Sequence, residues 1–133
     1  MENNEIAQIE DAEKNSESVQ RKRTSYKIVK AKAKGKKLSI KITYVDDNNK
    51  ERTKTINVGQ IGFRDYPQVY AENTELAESL KELYLKRNKN SDYTNTLSKQ
   101  FWSRYLLWNK PTLSESVEYI RTEFHADITL EDL

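Results

Sequence analysis

The stretch Tyr26–Val58, "YKIVKAKAKGKKLSIKITYVDDNNKERTKTINV", decides the fold. From Tyr26 onward apolar and polar residues alternate with a period of two, the pattern of a strand with one buried face. In the first segment Val29, Ala31 and Ala33 fall on one side, and Lys30, Lys32 and Lys34 on the other. Gly35 permits a tight reversal. In the second segment Leu38, Ile40, Ile42 and Tyr44 share a face opposite Lys37, Ser39, Lys41 and Thr43. "DDNNK" (46–50) reads as a hairpin loop, because Asp and Asn tolerate turn geometry and bond to their own backbone. A third strand, "RTKTINV" (52–58), places Ile56 and Val58 inward and Thr53 and Thr55 outward. Arg52 and Lys54 share the inward parity, so they are expected to snorkel at the hairpin end. The product is a three-stranded antiparallel meander with one apolar face that needs a cover.

The cover lies C-terminal to it. "GQIGFRDYPQVY" (59–70) is expected to be a packed loop with room for a helical turn, with Ile61, Phe63, Tyr66, Val69 and Tyr70 supplying contact area. Three helices then follow by pattern. Asn73 or Thr74 caps the first, whose stripe is Leu76, Leu80, Leu83 and Tyr84. The second, about 94–109, carries Leu97, Phe101, Tyr105 and Trp108, widened by Trp102 and Leu106. Pro111 breaks it, and Thr112 with Glu115 forms a capping box for the third. There Leu113, Val117, Ile120 and Phe124 make one narrow stripe. The fold class is therefore α+β: a three-stranded meander followed by about three helices on its apolar face. The domain spans 25–126, divided into the meander (25–58), the aromatic loop (59–72) and the helices (73–126). Residues 1–24 read as an acidic disordered arm, and 127–133 as a C-terminal tail that packs through Ile128.

The net charge of +2 conceals a sorted distribution. Residues 1–20 carry six acids against Lys14, a balance of −5. Residues 21–58 carry thirteen basic and three acidic residues, which is +10, and residues 59–133 carry nine basic and twelve acidic, which is −3. There is no cysteine, so neither a disulfide framework nor a thiolate metal site is possible. No apolar run approaches the roughly 18 residues of a membrane span, and the acidic N-terminus lacks a signal-peptide core. A cytoplasmic protein without a membrane partner is expected.

Enzyme chemistry finds little material. His125 is the single histidine, has no serine or cysteine context, and sits at an expected helix end, where it suits the carbonyl dipoles. Asp46 and Asp47 lie on a hairpin loop that lacks the glycine and distant glutamate of a calcium site. "GQIG" (59–62) has a G-x-x-G form but follows a strand and lacks a P-loop ending. No metal, cofactor or catalytic residue is expected.

Binding remains. Lys30, Lys32, Lys34, Lys37 and Lys41 are expected on one solvent face, with Lys36 at the turn and Arg21, Lys22 and Arg23 entering beside it. Lysines on strands about 5 Å apart repel one another, and a polyanion relieves that repulsion. Thr43, Thr53 and Thr55 add hydroxyl donors suited to phosphate. The expected function is a small non-enzymatic nucleic-acid-binding protein, with DNA ahead of RNA, screened by its acidic arm. Solvation alone is the plainer account, since lysines also protect sheet edges. The helix after Pro111 exposes Glu115, Glu118 and Glu123, which suits no phosphate-lined groove. The rival function is a protein-interaction module, an adaptor or an inhibitor of the kind a mobile element carries, masking a host protein surface. An acidic protein surface is the corresponding partner. Trp102, Leu106, Leu107 and Tyr119 are the expected partner-binding residues, with a homodimer as one outcome.

Overall fold

The structure is a computed structural model and describes residues 24–131 and 133. The acidic arm, including Arg21, Lys22 and Arg23, lies outside the described residues. Strands β1 (Ser25–Lys30), β2 (Lys36–Val45) and β3 (Glu51–Gln60) form the expected antiparallel meander. A fourth strand, β4 (Asp127–Leu130), pairs parallel with β1, giving the order β3-β2-β1-β4. The helices are α1 (Tyr66–Glu72), α2 (Thr74–Arg87), α3 (Lys99–Trp102, continuing as a π-helical turn Ser103–Leu107) and α4 (Leu113–Phe124). Among the described residues the sheet thus has four strands and is mixed, and there are four helices rather than three.

Alternation places β2 and β3 as expected. Leu38, Ile40, Ile42, Ile56 and Val58 are buried on one face, beneath Phe101, Trp102, Leu106, Val117 and Ile120. The parity of β1 differs from expectation. Tyr26 and Ile28 face the core, opposite Ile42 and Ile40. Lys30 therefore shares the core-side parity, opposite Leu38, while Val29 lies on the other face beside Ser39. Ile28 and the Tyr26 ring, 5.3 Å from that of Trp102, bury more apolar surface than Val29 with two alanines would. Ala31 and Ala33 are not in the strand at all; they belong to the 31–35 connection, where Lys36 N–H donates to Ala33 O at 3.2 Å. Arg52 and Lys54 have the core-side parity read for them. Lys54 Nζ reaches Leu97 O at 2.8 Å, and Arg52 Nε pairs with Asp46 Oδ2 at 2.7 Å.

Thr112 caps α4, its Oγ1 accepting from Glu115 N–H at 3.1 Å. Asn73 caps α2, accepting from Leu76 N–H at 3.0 Å. The helix about 94–109 is shorter than expected and changes pitch. Phe101 and Leu106, and Trp102 and Leu107, are five apart and all buried, a spacing that fits i→i+5 winding rather than 3.6 residues per turn. The 59–72 segment, expected to be a packed loop with room for a helical turn, carries the seven-residue helix α1, with Asp65 as its N-cap. α1 and α2 build a second small core from Tyr66, Val69 and Ala77, to which Leu80 and Trp108 add. The stripe read for α2 is thereby corrected: Ala77, Leu80 and Tyr84 face Trp108, and Leu76 and Leu83 are exposed. The tail is β4 up to Leu130. Ile128 is buried, and Arg121 Nε and Nη2 clamp its carbonyl at 3.2 and 2.9 Å.

Candidate nucleic-acid interface

The lysines of 27–41 separate into three groups. Lys37 is consumed by structure. Its Nζ donates to Asp65 Oδ2 at 3.0 Å, to Gln68 Oε1 at 2.7 Å and to the Phe63 carbonyl, using all three of its protons. Its stem lies over Gly59, where a Cβ would meet Lys37 Cδ at 3.0 Å. Gly59 also has φ +79°, so glycine is required there twice over.

Lys41, Thr43, Thr53 and Thr55 do share the sheet face turned away from the main core, on which Val29 and Ser39 are buried nearer the Lys37 end. Cross-strand register makes two rows, Asp127–Ser25–Thr43–Thr53 and Thr129–Lys27–Lys41–Thr55, which line a shallow groove of about 540 Å³. This face is close to electrically balanced. Lys27 pairs with Glu131 at 2.8 Å, a bond that holds the Glu131 carboxyl below its ordinary value, with Lys41 adding a smaller pull. Asp127 adds a second negative charge.

The third group collects at one end of the sheet. Lys30 ends β1, Lys36 opens β2, and Lys32 and Lys34 lie in the connection between them. Lys99, at the start of α3, comes against Lys36: its pKa is lowered, first by burial and then by the Lys36 charge. None of these five ammonium groups joins the ion pairs formed among the described residues. Lys99 was invisible to sequence reasoning, because only the docking of α3 brings it across 63 positions to Lys36.

Beside this cluster stands a second feature that the sequence pattern misassigned. Ile61 and Phe63 were expected to pack, yet they are 64% and 67% exposed. Their backbone is fixed: Ile61 N–H donates to Gly35 O at 2.8 Å, Phe63 N–H donates to Gln60 O at 3.1 Å, and the Phe63 carbonyl accepts from Lys37. Gly35 and Gly62, both with positive φ, leave open space where a Cβ would stand.

The expected partner surface is not a surface. Trp102, Leu106 and Leu107 are core residues, and Tyr119 is half-buried, stacked on Tyr105 at 5.8 Å. His125 is exposed and closes α4 in the left-handed conformation, φ 52°. Among the described residues no three His, Asp or Glu side chains are grouped to hold a metal ion, and no helix is long and apolar enough to cross a membrane. No family model matches this chain, and no curated protein or solved structure matches it either.

Proposed function

We propose that this is a non-enzymatic nucleic-acid-binding protein whose phosphate grip is the lysine end of the sheet rather than its open face. The observation that carries the reading is the set of five lysines gathered at one end of the sheet, Lys30, Lys32, Lys34, Lys36 and Lys99, with Lys36 and Lys99 in direct contact and none in an ion pair among the described residues. Like charges held together destabilise the fold unless an anion joins them, and a phosphate backbone supplies anions at matching spacing with release of counterions. The open face has the threonines but little net charge, so it serves as a flank.

Fluorescence anisotropy with labelled duplex DNA, single-stranded DNA and RNA tests this across a salt series. Binding that neutralises about five phosphates gives a log–log slope of about −4.5 on duplex and about −3.5 on single strands. Lys30, Lys32 and Lys36 changed together to Glu abolish binding, whereas Lys27→Glu and Lys41→Glu on the open face weaken it only modestly. The reverse ranking moves the site to the open face. The rival reading, a protein-interaction module, draws on Leu76 and Leu83, which are 41% and 44% exposed two turns apart on α2. Negligible affinity for all three nucleic acids at physiological salt favours that reading.

A further inference from the structure

Ile61 and Phe63 are the most exposed large apolar side chains described, and they stand beside the lysine end of the sheet, whose ammonium groups join no ion pair among the described residues. Exposed apolar groups on a rigid turn cost hydration without any gain in packing, so a contact outside the molecule is the natural beneficiary. Their position is not an accident of a loose loop. The Ile61–Gly35 hydrogen bond ties the turn bearing Ile61 and Phe63 directly to the connection bearing Lys32 and Lys34, one residue before Lys36. Lys37 holds the Phe63 carbonyl, Asp65 and Gln68 in one node, so the backbone under the ring is pinned from both sides. The ring is therefore presented in advance, and little ordering entropy remains to be lost on contact.

We propose that Phe63, with Ile61 beside it, stacks against an unpaired base while the surrounding lysines hold the adjoining phosphates, so that the ligand is single-stranded or locally unpaired nucleic acid. This rests on the phosphate-gripping reading above and adds the strand state to it. Three observations favour a base over a bilayer. Gly35 and Gly62 leave both turns bare, so a flat ring system reaches the backbone without meeting a side chain. Gln60, exposed at the foot of the turn, offers an amide able to bond a base edge. Arg64, next to Phe63 in the chain, is already ion-paired with Glu72, so it adds no free cation for an anionic membrane surface. Base–aromatic stacking is indifferent to sequence, because every base has a π-face, so modest sequence preference is expected.

The test compares the full chain with Phe63→Ala and Phe63→Trp, using a labelled single-stranded oligonucleotide of mixed sequence and the duplex of the same sequence. Removing the ring is expected to weaken single-strand binding by about 10-fold to 100-fold, the usual range for one lost stacking contact. Duplex binding and the salt slope stay as they were, and Phe63→Trp restores or tightens single-strand binding with quenching of the new indole. Circular dichroism melting of Phe63→Ala matches the parent, as the side chain supports no core. Unchanged single-strand affinity in Phe63→Ala, while the lysine-to-glutamate variant still loses binding, overturns the stacking proposal and leaves the phosphate grip standing. Loss of neither contact's effect, because the parent binds no nucleic acid, overturns the grip itself. Sedimentation with phosphatidylserine vesicles that depends on Phe63, without single-strand binding, assigns the tip to a membrane and overturns the proposal.

Discussion

Lys37 and Lys41 occupy the same strand and the same face, yet one is a structural member and the other joins no ion pair among the described residues. Lys37 joins β2 to the N-cap of α1 through a pair whose side chains are only 18% and 12% exposed. Removing its ammonium group takes the charged donor from the buried Asp65 carboxylate and the Gln68 oxygen, which keep only the capping-box bonds from the Gln68 and Asp65 backbone N–H groups. Lys37→Ala is therefore expected to lower stability by about 2 kcal/mol, read as a fall in the urea midpoint, while Lys41→Ala stays within about 0.5 kcal/mol of the parent. Nothing in the local pattern separates these two lysines. Asp65 and Gln68 lie 28 and 31 positions away, and only the docking of α1 makes one lysine a keystone. The same holds for the candidate site. The lysines of the connection were legible as a run of charge, but Lys99 and the outward turn of Phe63 are products of tertiary packing.

Elements with a sustained period were readable, and short or irregular ones were not. β2 offers four alternating apolar residues and α4 offers a cap followed by a stripe, so each declares its inner face. β1 contains Ile28 and Val29 side by side, which satisfies either parity, and the choice falls to the partner strand, where Ile40 and Ile42 receive Ile28 and Tyr26. β4 is four residues long, too short for a period, and is specified by Ile128 entering the core and by the Arg121 clamp on its carbonyl. If β4 is an integral strand, Ile128→Ala costs about 2–4 kcal/mol in a single cooperative urea transition. A merely adhering tail would lose well under 1 kcal/mol. The π-helical turn escaped because a window at 100° per residue scores Leu107 as off-face, although widening the turn brings it inward beside Leu106.

For the molecule as a whole, tyrosine burial sets a limit on the alkaline side. Tyr66 is pushed up from 10.0 to about 12, chiefly by burial and then by its hydrogen bond to Glu78, and Tyr84 is pushed to about 12 by burial. A raised folded-state pKa favours the protonated fold, so this stability is fully present below about pH 10 and is lost as pH rises through about 12. Urea midpoints should accordingly hold from neutral pH to about 10 and then fall, with phenolate absorbance rising in step with unfolding. Tyr66→Phe should flatten part of that fall. Tyr66 belongs to the small α1–α2 core and Tyr84 stacks on Trp108 at its edge, so loss of that core should precede that of the sheet. The parallel pairing of β4 with β1 bears on how the chain reaches this state. Ser25 meets Asp127 across a span of about 100 residues, so joining the two ends closes the longest loop in the molecule and carries its largest entropic toll. Until that late event the outer side of β1 is a bare template, and newly made chains held at high concentration will zip to one another there before they finish alone.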